Sequence, residues 1–391
     1  MKIYDYIIAG CGCAGMIFAY LMNQSSLAEK KILIIDRELN TGSNKTLSFW
    51  EKDSRFYEQI VSKSWNKLKL EFPHHSLDLQ LNEYRYKTIK GEDLCNFVID
   101  DLKKNINIDF CIESIDKITE EKDKIEIITH SGRKYQSDYV FSSMPVDLLK
   151  ISEDPSHHFF FQQFCGFYIQ TPQEEFNQET ATLMDFRLNQ DNITRFCYIL
   201  PFGPKEALIE ITYFSPKMAD HTSVRGELEQ YIHSVLGFSD YQVTRSEQGI
   251  IPMTNFPFPL SEGKRLIYLG TAAGMVKPST GYAFQRIVRH CENLIHQLEK
   301  EKKPVIRIGL WKKRFRVYDS TLLNIMENNK IPVVKIFYGL FTRNPASRIF
   351  KFLDEDTCFY EEMLLFFTVK IRVFLLSFFN SLKKHYTRRI S

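Results

Sequence analysis

The stretch Asp5-Tyr-Ile-Ile-Ala-Gly10-Cys-Gly12-Cys-Ala14-Gly15 takes an apolar strand straight into a glycine-punctuated turn and then into a helix. A dinucleotide pyrophosphate binds at such a junction, because free backbone N–H groups and the positive end of the helix dipole converge there. Gly10 permits the tight turn and Gly12 lets the backbone approach the phosphates. Gly15, next to Ala14, lets the helix pack close to the strand. A second apolar strand, Lys31 to Asp36, ends on a carboxylate suited to the adenosine ribose, with Arg37 beside it. The pattern alone does not separate FAD from NAD, and a strand, turn and helix without ligand reads the same way.

The chain has 391 residues, enough for a sizeable core and two domains, with one dinucleotide-binding unit assembled from distant segments. A net charge of +3 gives no case for a nucleic-acid partner. The eight cysteines occur singly, without C-x-x-C pairs or metal-ligand spacing, as expected of reduced thiols in a cytosolic protein with no metal site. The amino end lacks the features of a secretory leader, which places the expected location inside the cell.

Residues 363 to 382 are the one long apolar stretch, and Lys370 and Arg372 near its middle argue against a spanning helix. Lys383, Lys384, Arg388 and Arg389 follow it. An aromatic helix with a basic end suits a membrane interface, and a packed C-terminal helix is the plainer account.

Between these ends the chain changes character. A polar and aromatic insertion runs from Ser48 through Trp50 to about Tyr84. The segment Tyr86 to Leu94 then leads into a helix, and Lys90 at its start is placed to reach a pyrophosphate. Short strands at 109–115, 124–129 and 138–142 return to the cofactor domain. The runs 163–171, 181–188, 194–200 and 207–214, separated by Pro, Gly, Asn and Asp turns, read as an antiparallel sheet of a second domain. The expected division is 1–150 and 251–305 for the cofactor domain, 151–250 for the inserted sheet, and 306–391 for a helical, apolar and basic end.

In the last of those strands Leu208, Glu210, Thr212 and Phe214 share a face. A covered face would desolvate Glu210 and raise its pKa, so that it holds a proton near neutral pH as a general acid must. The same pattern also describes an ordinary exposed strand glutamate. Asp185 and Arg187 share a face of their strand as an ion pair would. Further on, Arg265 to Gly270 is a strand, and 271–282 is a loop that opens a helix whose apolar positions from Phe284 to Leu298 recur every three or four residues. A negative group, above all an anionic reduced flavin, would be stabilised at that N-terminus.

Two distant glycine-rich strand-to-helix junctions resemble those of flavoproteins in which FAD lies extended along one domain. The words Gly270-Thr271-Ala-Ala-Gly-Met-Val-Lys277-Pro278-Ser-Thr280-Gly281-Tyr282-Ala-Phe resemble the lycopene cyclase family specifically. Ser48-Phe-Trp50-Glu51, Met184-Asp185-Phe186-Arg187, Leu200-Pro201-Phe202, Leu208-Ile-Glu210-Ile-Thr212 and Arg343-Asn-Pro-Ala-Ser-Arg occur in the family's order.

The resemblance implies a Rossmann-like FAD-binding α/β domain of the glutathione-reductase and p-hydroxybenzoate-hydroxylase type with an inserted antiparallel substrate sheet. It also implies an enzyme that closes the ψ-ends of lycopene, or of another acyclic carotenoid, into β-ionone rings without net redox change. The flavin would work reduced, with NAD(P)H as reductant, at a peripheral membrane location. Glu210 matches the family's acid and Asp185 its Met-Asp motif. Gly10, Gly12, Ala14, Gly15, Asp36, Arg37, Lys90, Gly270, Thr271, Pro278, Thr280, Gly281 and Tyr282 fall to the cofactor, and Trp50 and Lys277 to the substrate. Where family members often carry Asp-Ser-Arg-Pro, this chain has Ser142-Ser-Met-Pro145, and Lys90 stands where related flavoproteins tend to carry arginine. A flavin monooxygenase or isoprenoid reductase of the same fold is the alternative.

Overall fold

The computed structural model describes residues 2–39, 45–191, 193–304, 312–370 and 372–378. Its organising element is the strand Lys2–Ala9, whose last four residues, Tyr6 to Ala9, are all buried as a central parallel strand requires. It pairs in parallel with Ile32–Asp36 on one side and Lys134–Ser142 on the other. The sheet continues outward through Ile108–Ile112 at one edge and through Leu266–Tyr268 and Ser261–Glu262 at the other. Strands Ile115–Glu120 and Ile125–Thr129 form an antiparallel extension on Lys134–Ser142. The helices Cys13–Asn23, Gly91–Leu102 and Phe284–Glu301 cover one face, where Phe18, Leu94 and Val288 are fully buried against Ile8 and Ile34.

The second sheet has the order Gln242–Thr254, Phe159–Gln170, Glu206–Ser215, Thr194–Gly203, Thr180–Asp185, Lys67–Phe72, His75–Gln80. Its last two strands come from the segment read in the sequence as a polar and aromatic insertion. Lys67–Phe72 joins in parallel with Thr180–Asp185, so this sheet is not wholly antiparallel and draws on residues before 151. A small third sheet of Thr46–Glu51, Lys63–Trp65 and Arg85–Lys90 links the two.

The two faces of the second sheet are covered differently. Ile209, Ile211 and Phe167 pack against the helix His221–Ser234 through Val224, Leu228 and Tyr231. The opposite face, with Leu208, Leu200, Phe196 and Phe214, is covered by the C-terminal helices through Leu323, Phe337 and Phe350. These helices are Lys313–Glu327, Val333–Arg343, Ala346–Leu353 and Phe359–Phe366. The apolar stretch 363–382 therefore does not form one helix. The helix ending at Phe366 gives way to a turn before residues 372–378 are helical again. Among the described residues no helix is long and apolar enough to cross a membrane. The basic positions 383–389 lie outside the described residues.

Candidate functional site

The two glycine junctions meet at the carboxyl end of the first sheet. Gly10 adopts φ +95°, and a Cβ on Gly15 would lie 2.0 Å from the Gly10 carbonyl oxygen, so only glycine allows helix and turn this close. A Cβ on Gly12 would meet no protein atom within 4 Å, which leaves that side of the turn open to a ligand. Asp36 accepts a hydrogen bond from the Cys11 amide, and Arg37 next to it is exposed. Ser143 donates to the Gly10 carbonyl at 3.0 Å, fixing the turn from the neighbouring strand. Gly270, at φ +59°, is so close to this turn that its Cβ would sit 2.7 Å from that of Ala14. Lys90 is the half-buried N-cap of Gly91–Leu102.

The second junction is a closed loop. Gly274 donates its amide to the Thr271 carbonyl, and Lys277 donates its own to the Tyr282 carbonyl at 2.9 Å. Gly281 has φ +76°. The helix that follows begins at Phe284 with no side-chain cap, as does the helix after Gly12, so both present uncapped N–H groups. Thr280 Oγ1 and Gln162 Oε1 are buried without a hydrogen-bond partner among the described residues. Two open helix N-termini, a turn with room above Gly12 and unfilled polar atoms beside Gly281 fit an extended, anionic dinucleotide cofactor.

Beyond this loop lies a cavity between the second sheet and the loop. Glu210 opens onto it, with Leu200, Leu208, Phe164, Phe284 and Ile251 as apolar walls. Tyr86, Tyr198 and Tyr282 converge there. Tyr282 Oη stands 3.2 Å from Tyr86 Oη and 3.4 Å from Tyr198 Oη. Burial, and then their mutual proximity, raise all three phenols well above the ordinary tyrosine range, so they are neutral.

Glu210 retains some accessible surface only because it lines the cavity, which lies deep in the protein. Desolvation first, and then the nearby Glu247 carboxylate, hold its pKa well above the usual carboxylate range, against a weak opposing bond from Thr212 at 3.4 Å. The alternation expected around Glu210 is present, and the face it points to is covered.

Other expected site residues are placed elsewhere. Asp185 pairs in register with Cys197, whereas Glu210 pairs with Tyr198, so the two acids point to opposite faces of the sheet. Fully buried, Asp185 accepts from Arg187 Nε at 3.0 Å and from Tyr231 Oη at 2.6 Å. It anchors the helix His221–Ser234 and does not meet the cavity. Lys277 is only 2% exposed. It donates to Asp319 at 3.1 Å and to Glu355 at 3.3 Å, and Ser279 also donates to Asp319. The ammonium thus ties the loop to the C-terminal helices, and the side chain also borders the smaller pocket lined by Trp50.

Trp50 stacks on Phe350, contacts Tyr282 edge-on and donates Nε1 to Asp354 at 3.2 Å. It lines a smaller adjoining pocket, with Tyr282 as the shared wall. Next to it in sequence, Glu51 accepts from Lys87, Tyr57 and Gln285, holding the linking sheet against the helix Phe284–Glu301.

A family model described as lycopene cyclase protein matches residues 5–383. The chain belongs to the lycopene cyclase family. This family member is 24% identical over 305 residues to a lycopene beta-cyclase of Pantoea ananas, covering 74% of each chain. It is 20% identical over 369 residues to the chloroplastic lycopene beta cyclase of Nicotiana tabacum, covering 87% of this chain and 72% of that one.

The fold of this lycopene cyclase family member is shared with a geranylgeranyl bacteriochlorophyll reductase-like protein from Thermoplasma acidophilum. The TM-score is 0.71 at 12% identity, covering 95% of this chain and 98% of that one. It is shared also with the halogenase PltM, solved with phloroglucinol and FAD, with a TM-score of 0.55 at 11% identity, covering 89% and 78%. The architecture is thus the mixed α/β flavoprotein type expected from the two glycine junctions.

Tyr86, Tyr198, Gln162 and Glu247 were not singled out from the sequence. They come from four separate strands, and no local spacing marks them as neighbours.

Proposed function

We propose that this chain is a lycopene β-cyclase that uses FAD, reduced with NAD(P)H as electron donor, to convert the ψ-end groups of lycopene or another acyclic carotenoid into β-ionone rings. The observation that carries this reading is Glu210. It is a carboxyl whose pKa burial raises well above the usual carboxylate range, inside an aromatic and apolar cavity that opens beside the second glycine loop.

A cyclisation without net redox change needs one proton given to a terminal double bond and one proton taken from the closed ring. Glu210 supplies the first as general acid and, once ionised, is positioned to take up the second. Reduced flavin, when bound, supplies negative charge that stabilises the cationic transition state. Tyr86, Tyr198 and Tyr282 border the path of the cation, where π-faces attract positive charge. Phe164, Phe284, Leu200 and Leu208 exclude water that would capture it. The glycine turn at 10–15, Asp36 and Lys90 hold the adenosine pyrophosphate, and Thr271, Pro278, Thr280 and Gly281 hold the flavin end.

The test is anaerobic incubation of the protein with lycopene, FAD and NADPH. Ring formation with only catalytic consumption of NADPH is expected. NADPH loss stoichiometric with product would instead identify a reductase. Glu210→Gln should keep bound flavin and lose ring closure by at least about 10²-fold. Full activity of that variant would remove Glu210 from the reaction.

A further inference from the structure

We infer that the acid is a pair of glutamates, with Glu247 as the positioning residue that keeps Glu210 protonated and ready to donate. This rests on the cyclase reading for its reaction but not for its geometry. In the second sheet Glu210 lies opposite Gly166, and Gly166 lies opposite Glu247 on the next strand. The three share one face, and the absence of a side chain at Gly166 lets the carboxyls meet above it. A Cβ there would lie 3.3 Å from Glu210 Cβ and 3.2 Å from Glu247 Cγ. The two carboxyls are close enough on this face to influence each other's charge.

The partners decide which member keeps the proton. Glu247, 3% exposed, accepts from Thr46 Oγ1 at 2.7 Å on Oε2, and Arg245 stands 3.8 Å from that oxygen. Its Oε1 is buried with no further partner among the described residues. Burial raises Glu247, and Thr46 and Arg245 offset only part of that, so it too stands above the ordinary carboxylate range. Glu210 has only the distant Thr212 hydroxyl against its burial and its negative neighbour. Both members are raised, Glu210 the further of the two, so in a pair that shares one proton Glu210 is the better placed to keep it and Glu247 to carry the charge, and the two titrate as a unit.

The other titratable groups that face the pair are Tyr86, Tyr198, Tyr282 and Tyr168, all held neutral. Arg245 is itself drawn toward Glu92 at 3.4 Å. Lys45 approaches Gly249, two residues along the strand from Glu247. When Glu210 gives up its proton, two carboxylates stand side by side, so the pair becomes a stronger base for the proton released on ring closure.

Two measurements on the flavin-loaded protein test this. The first is the pH profile of ring closure. Replacing Glu247 by Gln removes the negative neighbour, so the alkaline limb should move down by at least about 1 pH unit while activity below the limb is kept. A merely structural role would lower activity equally at all pH values. The second is the infrared C=O stretch of a protonated carboxyl, followed against pH without substrate. That band should be present in the wild type at neutral pH, absent in Glu210→Gln, and lost at lower pH in Glu247→Gln.

An unshifted band in Glu247→Gln, or a band that survives Glu210→Gln, overturns the pairing. A shifted band in a protein that closes no ring would leave the pair standing and refute the cyclase reading. If Glu247→Gln fails to retain flavin, Glu247→Asp, which keeps the charge but draws it one methylene away from Glu210, decides by a smaller downward shift of the same limb or its absence.

Discussion

A single side chain sets the limit at several points of the cofactor loop, most sharply at Gly281. Its φ of +76° lies where a residue with a Cβ is strained, and that Cβ would fall 1.7 Å from Gln162 Oε1. Gly132, at φ +81° in a hairpin turn, has the same backbone handicap but no atom within 4 Å of its would-be Cβ. Gly132→Ala should therefore cost only the backbone strain, about 1–2 kcal/mol. Gly281→Ala should cost more than that and also lose flavin on gel filtration. Equal unfolding midpoints for the two variants, with flavin retained in both, would show that Gln162 yields and that the loop tolerates the added carbon. Such glycines were legible in the sequence because their spacing follows the backbone's own chemistry. Gly166 was not, since its neighbours Glu210 and Glu247 come from strands brought beside it only by the sheet.

At the level of whole elements, local pattern reached as far as local forces do. The strands at 206–215 and 194–203 and the helix at 284–301 are marked by alternation and by three- and four-residue spacing. The strand at 67–72 alternates just as well, but its parallel partner lies more than a hundred residues away, and no nearby turn announces the pairing. The ion pairs of Lys277 were likewise not legible, because its partners, Asp319 and Glu355, reside in the C-terminal region.

That ion cluster makes its own prediction. Replacing Lys277 with Met leaves the buried Asp319 without its cation and Glu355 with Arg286 alone, and should cost about 3–5 kcal/mol. Burial alone would raise Glu355, but Lys277 and Arg286 more than offset it and leave its pKa below the ordinary value. The stability that Glu355 contributes is therefore present above its unfolded pKa, about 4.3, and disappears as pH falls through the lower folded value. Denaturant titrations of wild type and Lys277→Met should accordingly differ most near pH 7 and converge under acid. A gap that persists at low pH would mean that the lysine acts by packing rather than by charge.

The molecule as a whole lays its C-terminal helices over the face of the second sheet that carries Glu210. Those helices bury Phe337 and Phe350 against the sheet. On their outer side they leave Phe359 58%, Tyr360 70%, Phe367 64% and Leu376 65% exposed. Exposed aromatic and apolar residues concentrated in one region mark an interaction surface, whereas the still more exposed Ile106, at 97%, stands in a separate loop. On the cyclase reading proposed above, the lipid-dissolved carotenoid would have to be drawn from a bilayer, and this region would be the one to rest on it. Each large apolar side chain taken out of water is worth about 1.5–3 kcal/mol when fully buried. Replacing Phe359, Tyr360 and Phe367 together by Ser should therefore weaken sedimentation with anionic liposomes by at least about tenfold even if insertion is only partial. The same change should leave bound flavin intact and slow turnover of liposome-borne lycopene more than that of detergent-dispersed lycopene. Ile106→Ser is the control and should change neither. Unaltered liposome binding by the triple variant would move the membrane contact to another part of the surface.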